Sequence, residues 1–214
     1  MSPGQIARRL LGPRAFRLVG RAYRRVFVDL RKVVESFPPL PEGAEVLDVG
    51  GGDGEVVNLL LARFPSVRVT MIDLGENIGT ALDSGYRDRV RVLPKTSVEA
   101  YAQQGGRVPD VLILSDVLHH IPIDARPRFF EDLASLVRGR AVTLIVKDVA
   151  PEGVRSRCAY LADRYISGDR NVAFLSPAEL EASVRRAFPA ATAAETDLVR
   201  RDFPNYALVF AIPA

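Results

Sequence analysis

One cysteine, Cys158, is all the chain carries in 214 residues. An internal disulfide and a cysteine-built metal cluster are therefore excluded, and no metal site is expected. No apolar run is long enough to span a membrane. The first short apolar stretch, Ile6 to Leu11, is interrupted by Arg8 and Arg9, so no signal peptide is expected and a cytoplasmic location is the default. Internal repeats and low-complexity segments are lacking too. Acids are scarce in one place only: residues 1–36 hold nine Lys/Arg against Asp29 and Glu35, from a total of 29 basic and 26 acidic residues. The rest, with 20 basic and 24 acidic residues, is mildly acidic, which argues against the fold itself gripping nucleic acid. Apolar residues make up 48% of the chain, enough for a full core, and the length fits one domain.

What the sequence does have is the stretch Val46-Leu47-Asp48-Val49-Gly50-Gly51-Gly52-Asp53-Gly54. It reads as a short buried strand running into a glycine turn, followed by a helix from about Glu55 with Val56, Val57, Leu59, Leu60 and Leu61 on its apolar side. Glycines let a ligand approach the main chain, and the helix start offers free N–H groups. Together these predict a nucleotide-type edge at the C-terminal end of a parallel sheet. A dinucleotide fingerprint needs a small residue at position 55, where Glu55 stands, and no Lys-Ser/Thr follows to make a P-loop. The pattern is Asp-x-Gly-x-Gly-x-Gly, from Asp48, Gly50, Gly52 and Gly54 with Gly51 between them. A carboxylate at the strand's end suits a ligand carrying an ammonium group better than a pyrophosphate.

With that pattern the chain resembles the class I S-adenosylmethionine-dependent methyltransferases. The resemblance covers about residues 40–214. It implies a seven-stranded, mostly parallel, doubly wound sheet closed by a C-terminal antiparallel hairpin and preceded by N-terminal helices. It also implies S-adenosylmethionine as cofactor, with Asp48 and the glycines at its methionine end.

Strand and helix patterns alternate from position 46 onward. The second strand, Val67 to Ile72, ends at Asp73, 23 residues after Gly50 and within reach of ribose hydroxyls. The lesser alternative is that Asp73 merely caps a helix starting near Glu76; its distance from the first motif favours the ribose role. Leu74 beside it falls to the same pocket by resemblance. Asp88 to Leu93 reads as the third strand. In the family, the loop after this strand borders the adenine. Here it offers Lys95, Thr96 and Ser97, of which Thr96 and Ser97 are candidate contacts and Ser97 is also a plausible cap for a helix over 98–103.

The fourth strand, Asp110 to Ser115, runs into Asp116-Val117-Leu118-His119-His120-Ile121-Pro122, which is similar to the family's fourth motif. Ser115 and Asp116 would then face the methyl donor. The two histidines of the sequence both fall here, and either is structural or, if the acceptor is a hydroxyl, a general base. Nucleobase amine methylases resemble Asp-Pro-Pro-Tyr at this point, so a small-molecule acceptor is expected and no nucleic acid partner.

Asp124 is expected to cap a helix over 125–137 that buries Phe129, Leu133, Leu136 and Val137. A fifth strand, Ala141 to Val146, ends at Lys147-Asp148, which is either a surface ion pair or part of acceptor binding. Residues 151–175 exceed a plain connection and read as a substrate cover, with Tyr160 and Tyr165 as candidate contacts and Cys158 as packing. Ser176-Pro177-Ala178-Glu179 opens a helix over 177–187 with a capping box. Glu195 to Arg200 and Tyr206 to Ile212, linked through Phe203-Pro204-Asn205, predict the closing hairpin, its last strand beside strand five.

The domain is thus expected over 38–214. Residues 1–37 form a basic amphipathic segment that packs on the domain, serves as a lid, or touches an anionic membrane. The expected activity is methyl transfer to a small molecule, O- or N-directed and hydrophobic or lipid-like. The alternatives are a methyltransferase-like binding protein without turnover and a nicotinamide-dependent oxidoreductase. Oligomeric state is not legible in the sequence.

Overall fold

The computed structural model describes residues 29–153, 156–157, 160–161, 172–195 and 205–214. Most of the basic N-terminal segment, Tyr165, Cys158 and the hairpin turn lie outside these residues.

Seven strands form one sheet: β1 (Glu45–Val49), β2 (Arg68–Asp73), β3 (Val90–Pro94), β4 (Val111–Ser115), β5 (Val142–Val149), β6 (Thr192–Glu195) and β7 (Asn205–Ile212). Their order is β3-β2-β1-β4-β5-β7-β6. The first five are parallel, and β7 runs antiparallel between β5 and β6. The expected mostly parallel sheet with an inserted last strand is what the chain adopts. Chain order reverses between β1 and β4, the crevice where open α/β sheets bind ligands.

The parallel strands are apolar on both faces because helices cover both. Leu47, Leu112, Leu114, Leu144 and Val146 pack on one face, beneath α3 (Val98–Gln103), α4 (Arg126–Val137) and α5 (Pro177–Ala187). Val46, Val69, Met71, Ile113 and Ile145 pack on the other, beneath α1 (Leu30–Glu35) and α2 (Glu55–Arg63). Helix α2 places Val57, Leu60 and Leu61 inward at three-to-four spacing, and α4 does so with Phe130, Leu133 and Leu136/Val137. Ser97 accepts from the N–H of Ala100 to cap α3, and Ser176 with Glu179 closes the capping box of α5.

Several expectations need correction. No helix follows Asp73: its Oδ1 accepts from the Gly75 N–H at 2.7 Å, and the chain turns until a 3-10 segment at Ser84–Arg89, which displaces the start of β3 to Val90. Asp124 does not cap α4; it lies in a 3-10 turn, Ile123–Ala125, and Ala125 stands at the cap with no side-chain bond. Strand β6 starts at Thr192, earlier than expected, and Asn205 belongs to β7 rather than to the turn. Lys147 and Asp148 are no surface pair: β5 continues through both, and they are 1% and 0% exposed.

Candidate active site

The glycine turn owes its path to backbone rather than side chains. Gly50 has φ +73°, and a Cβ there would lie 2.4 Å from Val117 Cγ2. That approach brings the turn after β1 against the loop after β4. The register Val49↔Leu114 already sets the two exits side by side. Gly54, also left-handed at φ +87°, occupies the cap of α2.

Asp48 is buried at 2%, and its Oδ2 has no hydrogen-bond partner among the described residues. Oδ2 would lie 2.6 Å from a Cβ on Gly51, directly beneath the turn. Burial, reinforced by the charge of Asp73, pushes the Asp48 carboxyl up to about 7. Ser115 Oγ at the end of β4 is likewise buried and unpartnered among the described residues. Buried polar atoms are rarely left so, and a ligand is one of the few things that satisfies them.

A cleft of about 600 Å³ opens over this edge. Of the expected cofactor residues, Gly50, Asp73, Leu74, Thr96 and Ser97 line it, as do Asp116 and His120. Asp73 Oδ2 accepts from the Gly52 N–H at 3.1 Å, which ties the end of β2 to the glycine turn. Leu74 stands 76% exposed at the rim. Thr96 is buried, its N–H donating to the Asp73 carbonyl. Asp48, Gly51, Gly52, Gly54 and Ser115 lie behind or beside the wall rather than in it. Sequence reasoning missed Val117, Ile121, Phe129, Arg128 and Asp132, which also line the cleft. Helix α4 follows directly on the loop after β4, so its first turns flank that loop; this was the signal available.

Side chains alternate between faces along a strand, so Lys147 and Asp148 grip that loop from opposite sides of the sheet. Lys147 Nζ lies 2.5 and 2.7 Å from the two carboxylate oxygens of Asp116. Asp148 Oδ1 lies 2.5 Å from His119 Nδ1 and also accepts from its neighbour's N–H at 2.7 Å. Burial alone would raise the Asp148 carboxyl. His119, by charge and hydrogen bond, together with the Val149 N–H and the Lys147 ammonium, brings it below the ordinary carboxylate value. Donor atoms of Asp116, His119 and Asp148 lie within 4.8 Å of one another, a spacing that could hold a cation. Both Asp116 oxygens, however, are already taken by an ammonium, and His119 Nδ1 faces Asp148.

The loop is pinned further. The Ala173 N–H donates to the His119 carbonyl at 2.9 Å, and Arg126 bridges the carbonyls of Ile121 and Ala173. The His119 ring meets Phe174 edge-on at 5.3 Å, and Phe174 in turn meets Tyr160 at 6.3 Å. Tyr160, Phe174, Pro151, Leu161 and Val172 line a second, largely apolar cavity of about 410 Å³. His119 itself is 3% exposed and adjoins both spaces, through His120 at 4.1 Å on one side and Phe174 on the other.

Residues 21–187 match the family described as "Methyltransferase domain". The chain belongs to this methyltransferase family. The match begins upstream of residue 38, where the sequence reading starts the domain. Over 100 residues, the chain is 33% identical to a trans-aconitate 2-methyltransferase of Paracidovorax citrulli, covering 45% of this chain and 37% of that protein. An O-methyltransferase family protein from Burkholderia thailandensis superposes with a TM-score of 0.71 at 19% identity, covering 99% of this chain and 63% of that one. Human N-acetylserotonin methyltransferase, solved in complex with SAM, superposes with a TM-score of 0.67 at 16% identity, covering 91% and 55%. This methyltransferase-family chain therefore spans less than two thirds of each of these three proteins. Among its described residues, no helix is long and apolar enough to cross a membrane.

Proposed function

We propose that this chain transfers a methyl group from S-adenosylmethionine to a hydroxyl of a small, largely apolar acceptor. The observation that carries the reading is the buried, unpartnered Asp48 oxygen beneath a glycine turn, at the crossover of a fold belonging to a methyltransferase family. An ammonium group satisfies that oxygen and restores its ionised form; a diphosphate would repel it. The residues fit the cofactor: Asp48 and the turn at its amino-acid end, Asp73 for the ribose, and Leu74 with Thr96 and Ser97 for the adenine. When bound, S-adenosylmethionine supplies an electrophilic methyl whose bond to sulfur breaks with the electron pair returning to sulfur.

The chain's own residues supply position and a proton acceptor. With the Asp148 carboxylate against it, His119 Nδ1 carries the proton in this reading, which makes Nε2 the basic ring nitrogen and the group assigned the acceptor's hydroxyl proton. The cavity lined by Tyr160 and Phe174 holds the acceptor's apolar body, and His120 closes the wall towards the cofactor cleft.

The test is calorimetry with S-adenosylhomocysteine, followed by a screen of phenolic and aliphatic hydroxyl acceptors for methylated product. Absence of binding by the wild-type chain would remove the proposal.

A further inference from the structure

Asp116 and Lys147 are tied together twice. The Asp116 N–H donates to the Lys147 carbonyl at 3.0 Å, and the Lys147 ammonium holds both Asp116 oxygens. The tether has something to hold, because Asp116 is a non-glycine residue at φ +58°, a backbone state that L side chains disfavour. The two partners differ in access: the Lys147 side chain is 0% exposed, whereas that of Asp116 is 33% exposed and lines the cleft. Lys147 was expected to touch the acceptor. Buried as it is, it reaches a ligand only through Asp116.

Where Asp116 points is set by the sheet. Gly50 follows Val49 and Ser115 follows Leu114, and those strand residues are register partners. The glycine turn and the Ser115-Asp116 exit therefore leave adjacent strands together, with Val117 packed on Gly50. Asp116 stands beside the turn that receives the amino-acid end of the cofactor. An ammonium group has three donors, and Asp48 Oδ2 can accept only part of that set. A second carboxylate alone would leave an excess negative charge beside the buried Asp48. With Lys147 behind it, Asp116 offers acceptor oxygens while the pair stays neutral.

We propose that Lys147 is a positioning residue that fixes the Asp116 carboxylate as a second acceptor for the ammonium of the cofactor's amino-acid end. The inference rests on the use of S-adenosylmethionine proposed above. It assigns Lys147 no contact of its own with the cofactor or the acceptor. Its effect is specific to ligands that carry the amino-acid group.

The test compares two probes by calorimetry: S-adenosylhomocysteine, and 5′-methylthioadenosine, which lacks the amino-acid end. The proteins are the wild type, Lys147→Met, Lys147→Arg, Asp116→Asn and the double variant Lys147→Met/Asp116→Asn, each checked for a cooperative melt. Lys147→Met should lose about tenfold or more in affinity for S-adenosylhomocysteine and keep its affinity for methylthioadenosine. Lys147→Arg should recover most of the loss, and the double variant should bind no worse than Asp116→Asn alone. Wild-type affinity for S-adenosylhomocysteine in Lys147→Met would overturn the proposal, and so would an equal loss for both probes, which marks a merely structural role. If the wild type binds neither probe, the cofactor reading itself fails and this inference with it.

Discussion

Asp148 Oδ1 sits 2.5 Å from His119 Nδ1, and neither residue has more than a trace of solvent contact. A buried carboxylate held this way fixes both the tautomer and the plane of the ring. In the proposed reaction, His119→Gln and Asp148→Asn should each lower turnover by about 10²–10⁴-fold, with affinity for S-adenosylhomocysteine kept within about threefold. His120→Gln should act on acceptor KM more than on turnover, because its ring forms wall rather than base. Steady-state kinetics on a methylated product, beside calorimetry, separates these outcomes. A turnover loss in His120→Gln equal to that in His119→Gln would reassign the base.

At Gly50 the left-handed backbone and the near contact with Val117 impose separate costs. Gly50→Ala should destabilise the fold by about 1–2 kcal/mol for the backbone state, with a further steric term. Val117→Ala removes the Cγ2 that a Cβ would meet at 2.4 Å and leaves Val117 Cβ at 3.4 Å, an ordinary contact. The double variant should therefore regain the steric part and not the backbone part. Denaturant melts of the four proteins measure both. Full recovery in the double variant would show that φ contributes nothing.

Much of the sheet was legible because buried parallel strands advertise themselves as apolar runs. Val111 to Leu114 and Val142 to Val146 could hardly be anything else in an alternating chain. The glycine turn and the Ser176–Glu179 box carry local chemistry that reads without tertiary context. Of the two readings of Lys147-Asp148, the surface ion pair fails: two charges after an apolar run usually mean an exit to solvent, and here both are buried. Their partners, Asp116 and His119, lie 31 and 29 residues earlier, and only those pairings let β5 continue inward. Sequence also marked Asp48 as a candidate without revealing that one of its buried oxygens has no hydrogen-bond partner among the described residues. Of the α4 side chains that line the cleft, Phe129 was read as core and Arg128 and Asp132 were not singled out, since periodicity reports burial and not what lies above it.

The Lys147–Asp116 pair should be unequal in what its loss does to folding. Asp116→Asn leaves an ammonium with no exposed surface and no carboxylate, a situation that costs about 3–5 kcal/mol. Lys147→Met leaves an aspartate one-third exposed, which water can still solvate, so the loss should be well below that. Thermal melts at neutral pH should thus rank wild type above Lys147→Met and Lys147→Met above Asp116→Asn. The double variant should melt above Asp116→Asn, because the stranded charge is gone.

Asp48 and Asp148 should oppose each other in the pH dependence of stability. The Asp148 carboxyl lies below its ordinary value in the fold, so its contribution is present above that value and lost as pH falls through the lower folded one. Asp48 is the reverse: raised to about 7 chiefly by burial, it is protonated in the fold between about pH 4 and pH 7 while the unfolded chain has released that proton. Stability from this group is therefore full below the unfolded pKa and declines by about 1.4 kcal/mol per pH unit as pH rises towards 7. Asp48→Asn should abolish that decline and make the ligand-free protein more stable than wild type at pH 8. The same change should weaken S-adenosylhomocysteine binding, because an amide offers the ammonium no charge. In the wild type, binding should release a proton near pH 6, where Asp48 is otherwise held neutral. Calorimetry in buffers of different ionisation enthalpy counts that proton directly. If Asp48→Asn leaves both the melt at pH 8 and the proton count unchanged, the unbonded oxygen beneath the glycine turn is not where the ammonium goes.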